Sequence, residues 1–384
     1  MEKRPLDGII VAEFGNTLAG PFTARILGDL GAEVFKFESV NGGDPVRKWS
    51  PPFVGGMPST FQALNRGKHS ITVDLRKDAD RDMVFCFMTD VVVQNTRPGA
   101  MEKLGLGASA LCAAAPRLVY CNITGFGHAG PLKDLPGYDP LIQAFSGLVS
   151  VTGEADRPPS RVGASIVDIA TATWATIGIQ AALLRRVNTG KGGVVDTSLL
   201  ESALNMMIMP MVQMAAGGAM PGRSGLRGPL VAPNNAYRTS DGLLMITTAT
   251  DGQFVKLCDI IGHPELAADP RYQTVHGRME NEAPLSAVIH EAVSIRTRAD
   301  WAAGCGRYSK CADPGPGRSN APCADPGGGH GAVQPGNGFS SDRPADFHRW
   351  RAPGVSQTGP GAGRGQPVAV RFRKRRLIDG GYRH

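Results

Sequence analysis

The sequence has 384 residues, of which 42% are hydrophobic and 20% charged, and its formal net charge is +7. This composition predicts a soluble globular protein with room for two domains. Part of the positive charge lies in the basic run 371–376, and because no groove-reading motif accompanies it, nucleic-acid binding is not predicted. No signal peptide or membrane-spanning apolar run is recognised, and the seven cysteines are irregularly spaced. We therefore expect a cytoplasmic protein with reduced cysteines and no nucleic-acid or membrane partner.

The chain opens with a strand, a helix and a second strand. Residues 6–14 predict a buried strand, residues 15–21 a glycine-containing turn, residues 22–30 a helix and residues 32–38 the next strand. The pattern Gly-x-Gly-x-x-Gly is absent after the first strand, so nicotinamide and flavin cofactors are not expected. A helix N-terminus that follows a strand can still bind phosphate groups.

Two later strands are predicted to end in polar or glycine-rich turns. One strand leads to the turn at Asn95, and the other covers residues 118–124 and ends at Gly125. Ligands of parallel α/β sheets bind at the carboxyl ends of the strands, so these turns are candidate binding elements. His128 lies in the second turn, and because it has no partner nearby in the sequence, we interpret it as a loop residue rather than a base.

Asp168 is a lone acid at the entry to a long apolar helix, and residues 169–184 carry no charge. That run predicts a helix buried on most of its sides. Ser165 and Asp168 have the spacing of a capping box, which gives the acid a structural explanation. A catalytic explanation is compatible with it, because a carboxylate kept ionised by the positive end of a helix can act as a nucleophile in a dry pocket.

The second half of the chain predicts a second unit. Residues 190–198 predict a turn and a strand, and residues 199–214 a methionine-rich helix whose methionines we interpret as core residues. A hairpin around Asp241 and Gly242 precedes helices at 252–261 and 284–296. The predicted domains are a large domain with the catalytic acid (1–190), a linker strand and helix (191–225), a small α/β domain (226–303) and a Gly/Pro/Arg-rich segment (304–384).

The segment 304–384 differs in composition from the rest of the chain. It contains no Leu, Ile or Met before Leu377 and Ile378, and it is rich in Gly, Pro and Arg. Such a segment cannot bury enough apolar surface to offset the entropy of ordering, so it predicts disorder. Because the change at residue 304 is abrupt, we hypothesise a shifted reading frame; a genuine flexible tail is the alternative, and resequencing the locus distinguishes the two.

Several different short motifs follow one another over residues 5–302. They are Ala19-Gly-Pro21, the stretch 28–36, Gly43-Asp-Pro45, Asn65-Arg-Gly-Lys68, Asn95-Thr-Arg-Pro-Gly99, Gly125-Phe-Gly127, Tyr138-Asp139, Asp168 and Gly190-Lys-Gly192. With these motifs the chain resembles the class III CoA-transferase family, which includes the alpha-methylacyl-CoA racemases. The resemblance implies an α/β fold with a Rossmann-like large domain, a smaller α/β domain and an interlocked homodimer.

The resemblance also implies roles for individual residues. Asp168 aligns with the family's nucleophile, which forms a mixed anhydride and then an aspartyl-CoA thioester. Thr17 and Leu18 match the segment whose backbone amides lie near the reacting carbonyl. The residues expected near the CoA nucleotide are Asn95, Thr96, Arg97 and Lys103, with Lys36 and Lys68 close by.

Tyr138 distinguishes between branches of the family. The racemases carry a histidine at this position as a proton-transfer group, so the tyrosine favours CoA transfer over epimerisation. The reaction implied is transfer of CoA between an acyl-CoA and a short carboxylic or dicarboxylic acid, with CoA as a substrate and no metal or permanently bound cofactor. The alternatives are an acyl-CoA racemase or epimerase, and an inactive CoA-binding remnant.

Overall fold

A parallel sheet and its helices form the first part of the chain, and a hairpin with four helices forms the second. The computed structural model describes residues 3–49, 51–87 and 89–303. The strands are β1 (Ile10–Glu13), β2 (Glu33–Ser39), β3 (Phe53–Val54), β4 (Met57–Pro58), β5 (His69–Val73), β6 (Val91–Gln94), β7 (Val119–Thr124), β8 (Gly193–Ser198), β9 (Asn234–Thr239) and β10 (Gly242–Thr247). The helices are α1 (Ala19–Asp29), α2 (Ser59–Asn65), α3 (Asp78–Cys86), α4 (Ala100–Lys103), α5 (Ala108–Ala114), α6 (Asp139–Phe145), α7 (Ile166–Thr189), α8 (Leu199–Met206), α9 (Ile208–Ala215), α10 (Asp251–Ile261), α11 (Glu265–Ala268), α12 (Val275–Glu280) and α13 (Glu282–Ser294).

The main sheet has the strand order β5-β2-β1-β6-β7-β8, and all its strands are parallel. Counted along the chain within this sheet, the order is 3-2-1-4-5-6, which is that of dinucleotide-binding folds. The Rossmann-like prediction is therefore confirmed. The order reverses between β1 and β6, and the crevice at such a reversal is where open α/β sheets bind ligands. Strand β8, which lies in the predicted linker segment 191–225, is an edge strand of this sheet.

Both faces of the sheet are buried. Along β6, Val91 and Val93 belong to one hydrophobic cluster and Val92 to another. The first cluster includes Ile179 of α7, and the second includes Phe37 of β2. An uninterrupted valine run is typical of a strand covered on both faces, and it places the carboxyl ends of the strands, with their turns, at one rim of a rigid core.

Helix α7 is buried on one side only. Ala175 and Ile179 are fully buried, whereas Trp174 and Val187 are 49% and 80% exposed. The prediction of a helix buried on most sides is wrong for this reason. By length and composition α7 could also cross a membrane, but its packing against α1, β7, β8 and α8 is that of a core helix.

The second unit contains the hairpin β9–β10 and helices α10 to α13. Gly242 pairs with Thr239, so the predicted hairpin with its turn at Asp241 is confirmed. Phe254, Ile289 and other buried side chains of these elements form a separate core. The two predicted helices are confirmed as α10 and α13, with bounds shifted by one or two residues.

The predicted methionine-rich helix is divided into α8 and α9. Met207, at the break, is buried, but Met209 and Met214 are 54% and 46% exposed. The interpretation of these methionines as core residues therefore holds for Met207 and is wrong for Met209, Met211 and Met214, which are all exposed. The segment 304–384, with its predicted disorder and its reading-frame hypothesis, lies outside the described residues.

Candidate active site

The turns after β1 and β6 are joined where the strand order reverses. The Asn95 side chain accepts a hydrogen bond from the Asn16 amide at 2.8 Å and donates to the Asn16 carbonyl at 2.9 Å. A Cβ atom on Gly20 would lie 3.0 Å from Asn95 Oδ1, so α1 begins too close to Asn95 for a larger residue to fit without displacement. Asn95 thus lies beside the Thr17–Leu18 turn.

Thr17 has a φ of 70°, in the left-handed region. For a β-branched residue this conformation is strained by about 1–2 kcal/mol. Its amide donates to Asp44 Oδ1 at 3.2 Å. The amide of Leu18, in contrast, has no hydrogen-bond partner among the residues that the structure describes. Of the two predicted amides, Leu18 is therefore the one free to bind an oxyanion.

Four buried charges lie beneath this turn. Lys36 Nζ is 2.7 Å from Glu13 Oε1 and 3.0 Å from Asp44 Oδ2, and Lys68 Nζ is 2.7 Å from Glu13 Oε2. The two lysine side chains are 1% and 3% exposed. Lys36 and Lys68 were expected near the CoA nucleotide, but direct contact with a phosphate would require these buried ion pairs to open.

The two lysines differ in their electrostatics. Burial lowers the pKa of Lys36, but Glu13 and Asp44 outweigh it, so the pKa is raised above its ordinary value. For Lys68 burial outweighs the attraction of Glu13 and the weaker attraction of Asp44, and the nearby Lys36 adds to the effect of burial. The pKa of Lys68 falls to about 8.

Asp168 lies in the first turn of α7, and another acid caps that helix. Asp139 Oδ2 accepts hydrogen bonds from the amides of Val167 and Asp168 at 2.8 and 3.1 Å. Its Oδ1 accepts from Gln143 at 2.6 Å. Ser165 occupies the N-cap position without a side-chain cap, so the predicted capping box is wrong. The carboxylate of Asp168 is therefore not used in capping.

The environment of Asp168 favours its neutral form. Burial and, second, the charge of Asp139 raise the pKa of Asp168 to about 7. The expectation that the helix end keeps this acid ionised is corrected in this respect, because burial and the charge of Asp139 both favour the protonated form. A carboxylate with a pKa this high is more nucleophilic than an ordinary one, and perturbed acids of this kind are concentrated in active sites.

This pKa gives a pH dependence for any reaction in which Asp168 attacks as the carboxylate. The ionised fraction in the free protein falls below pH 7, so kcat/KM should fall about tenfold per pH unit there. The measurement is kcat/KM from pH 5 to 8. A rate that stays constant down to pH 5 would contradict the assignment.

The glycine turn after β7 packs against the segment that leads into α6. A Cβ atom on Gly125 would lie 2.6 Å from the Gly137 amide, and one on Gly137 would lie 2.5 Å from the Gly125 Cα. This backbone contact positions Tyr138 and Asp139, the two residues that follow. Tyr138 is 65% exposed, while Asp139 is buried and bonded to α7.

We expect Gly125→Ala to destabilise the protein by about 1–3 kcal/mol, because the methyl group has no room against Gly137. Any activity that depends on Asp168 should also fall, since Asp139 would move with its segment. Thermal unfolding and rate assays measure the two effects. Gly163→Ala is the matched control, because a Cβ atom there meets no atom within 4 Å. Equal unfolding temperatures for the two variants would contradict the prediction.

Comparison with known proteins identifies the family. The sequence profile of CoA-transferase family III matches residues 6–316. The chain belongs to this family.

Relatives within the CoA-transferases have 34–40% identity. An acetyl-CoA:oxalate CoA-transferase of Acetobacter aceti is 39% identical over 78% of this chain and 77% of its own. A succinyl-CoA–D-citramalate CoA-transferase of Chloroflexus aurantiacus is 40% identical over 74% of this chain and 72% of its own. Among solved structures, a CAIB/BAIF family protein from Brucella suis is 40% identical with a TM-score of 0.69, covering 82% of this chain and 83% of its own.

The residues assigned to the CoA nucleotide lie on the surface after β6. Arg97 and Lys103 are exposed, the latter in the last turn of α4. Thr96 donates from its amide and hydroxyl to Gln94 Oε1 at 2.8 and 2.7 Å. Gln94 in turn donates to Asn122 on β7. This hydrogen-bonded row fixes the turn from which Arg97 and Lys103 extend.

Sequence reasoning assigned no role to three acids of the site, although two of them lie in the motifs that it quoted. Glu13 and Asp44 neutralise the buried lysines, and Asp139 caps α7. The signal for Asp44 was its position before a proline, where it caps a short 3₁₀ turn. The signal for Glu13 was its position inside an apolar strand, because a buried carboxylate needs a cation as its partner. Within the described residues, no group of three His, Cys, Asp or Glu side chains is placed to hold a metal ion.

Proposed function

We propose that this chain transfers CoA between an acyl-CoA and a short carboxylic acid, with Asp168 as the covalent nucleophile. The observation that carries the proposal is the carboxylate of Asp168 at the start of α7, partly buried, with a raised pKa and no capping role. The capping role is taken by Asp139.

The chemistry conserves the energy of the thioester. The Asp168 carboxylate attacks the thioester carbonyl and expels CoA thiolate, which leaves a mixed anhydride. The thiolate then attacks the aspartyl carbonyl, which releases the donor acid and forms an aspartyl-CoA thioester. The acceptor carboxylate attacks this thioester and expels the thiolate, which finally attacks the acceptor carbonyl of the new anhydride. Acyl-CoA forms and Asp168 is regenerated.

Each attack develops negative charge on a carbonyl oxygen. The Leu18 amide at the start of α1 is the donor that supports stabilisation of this charge, together with the positive end of that helix. Arg97 and Lys103 supply exposed positive charge for the CoA phosphates. Tyr138 lies at the start of α6, at the position where the racemases carry a proton-transferring histidine. The tyrosine therefore favours CoA transfer over epimerisation.

The acids are proposed by analogy with the relatives. Their names specify oxalate, glutarate, D-citramalate and mesaconate, in most cases with succinyl-CoA. Short dicarboxylic acids are therefore the acceptors to test first, with succinyl-CoA or acetyl-CoA as the donor.

A homodimer is also part of the proposal. Large apolar side chains remain exposed on helices α6, α7 and α9, and α8 contacts all three of these helices. They include Phe145, Trp174, Ile177, Leu184, Met209 and Val212. An apolar surface of this extent is typical of a protein interface. Analytical ultracentrifugation of the full chain measures its oligomeric state, and a monomer at micromolar concentration would contradict this part of the proposal.

The test of the function is an exchange assay with the purified full chain. Succinyl-CoA and a panel of dicarboxylic acids are incubated with the protein, and new acyl-CoA is measured by mass spectrometry. New acyl-CoA that requires both the acid and the protein supports transfer. Deuterium entering the alpha carbon without CoA exchange would instead support an epimerase. Neither signal, from folded protein that binds CoA, would support an inactive remnant.

A further inference from the structure

We propose that Asp44 is a positioning residue of this reaction, which holds the strained turn at Thr17 so that the amide of Leu18 points at the reacting carbonyl. The inference rests on the proposed function, because it concerns the same oxyanion donor. The argument comes from the buried charges beneath the turn.

The turn is held at three backbone points on either side of Leu18. Lys36 Nζ donates to the Gly15 carbonyl at 2.7 Å. Asp44 Oδ1 accepts from the Thr17 amide at 3.2 Å, and Lys68 Nζ donates to the Pro21 carbonyl at 2.7 Å. All three contacts come from members of one buried charge cluster, so the backbone around Leu18 is attached to a single rigid group.

Asp44 is itself fixed from several directions. Its Oδ1 also accepts from the Val46 amide at 3.0 Å, and its Oδ2 faces Lys36 Nζ at 3.0 Å. Its own amide donates to Glu38 Oε1 at 2.9 Å, and Glu38 is paired with Arg47. A carboxylate with so many fixed partners cannot follow the turn if the turn relaxes. It therefore imposes the conformation of Thr17 rather than adapting to it.

The cluster is also neutral as a whole. Glu13 and Asp44 balance Lys36 and Lys68, and all four side chains are buried. Rearrangement of any member would leave a buried charge without its partner, which makes alternative arrangements costly. Without the buried charge cluster, the strained backbone of Thr17 would relax to another conformation. The cluster keeps Thr17 at its positive φ.

The test compares Asp44→Ala with the double variant Thr17→Gly/Asp44→Ala. Removal of the Asp44 carboxylate should lower kcat about 100-fold with little change in KM for the acyl-CoA, because a displaced oxyanion donor affects the transition state. Glycine at position 17 adopts a positive φ without strain. The kcat of the double variant should therefore be at least tenfold higher than that of Asp44→Ala. A merely structural role of Asp44 predicts no such recovery.

Hydrogen exchange of the peptide 15–21 provides a readout that does not depend on activity. Exchange should be faster in Asp44→Ala than in the wild-type chain, because the amide at position 17 loses its acceptor. If the wild-type chain shows no CoA exchange at all, the proposed function fails, while this measurement still decides whether Asp44 holds the turn. Asp29→Ala, which removes a half-exposed acid at the other end of α1, is the control.

Two results would overturn the inference. One is an unchanged kcat together with unchanged exchange of the peptide 15–21 in folded Asp44→Ala. The other is a loss of kcat in Asp44→Ala that is equally large in the double variant with glycine at position 17. If Asp44→Ala fails to fold, Asp44→Asn, which retains an acceptor oxygen but loses the ion pair with Lys36, replaces it in both comparisons.

Discussion

Asp168→Asn should lower the rate of CoA exchange by about 1,000-fold or more, because an amide cannot attack the thioester. The covalent adduct that hydroxylamine or borohydride traps on the wild-type protein should be absent. The fold should be retained, since Asp139 and not Asp168 caps α7. Circular dichroism and CoA binding serve as controls. Exchange at more than a tenth of the wild-type rate would rule out Asp168 as the nucleophile.

The same substitution should stabilise the protein at neutral pH. Folding raises the pKa of Asp168, so the folded state favours the protonated side chain. The stability that this side chain contributes is fully present below pH 4 and is lost as the pH rises through 7. Relative to this acid, asparagine should raise the free energy of unfolding by about 1–3 kcal/mol at pH 8. Urea unfolding at pH 5 and pH 8 measures the effect. An equal stability difference at both pH values would contradict the raised pKa.

Asp139→Ala should have the second-largest effect. It leaves two α7 amides without their acceptor and removes one of the two acceptors of the Gln143 side chain, at a cost of about 2–4 kcal/mol. Exchange activity should fall about 100-fold, because the start of α7 and its nucleophile would be displaced. Thermal unfolding and kcat measure the two losses.

Asp139→Asn is the matched control for charge. Asparagine keeps an acceptor oxygen for the α7 amides but removes the negative charge beside Asp168. The acid limb of the rate profile should therefore move to lower pH, while most of the stability is retained. An acid limb that does not move would show that Asp139 has no electrostatic influence on the nucleophile.

The parallel sheet was predictable from the sequence because its strands are strongly apolar and end in polar turns. Val91 to Val93 and the turn at Asn95 show this pattern, and the structure places that turn at the reversal of strand order. The site residues in the turns followed from the resemblance to the family. Local patterns of this kind are reliable where the backbone alone determines the position of a residue.

Contacts between distant segments were not predictable in the same way. Ser165 has the right spacing to cap α7, but Asp139, 29 residues before Asp168, forms the hydrogen bonds instead. Lys36 and Lys68 were expected near the CoA nucleotide, yet Glu13 and Asp44 neutralise them inside the protein. Sequence spacing does not show which distant side chain contacts a buried group in the folded protein.

The apolar face of α7 shows a further limit of periodicity. Apolar side chains on every side predict burial, but they do not distinguish burial within one chain from burial between chains. Trp174 and Val187 are uncovered in the described part of this chain. The same applies to the exposed methionines of α9.

The most direct test of the account follows oxygen through Asp168. The full chain is allowed to turn over repeatedly with an acyl-CoA and an acceptor acid whose carboxylate oxygens carry the heavy isotope. The peptide containing Asp168 is then analysed by mass spectrometry. The account predicts heavy oxygen on the Asp168 side chain and in the released donor acid, because both anhydrides pass through this carboxylate. Rapid CoA exchange that leaves Asp168 unlabelled would contradict it.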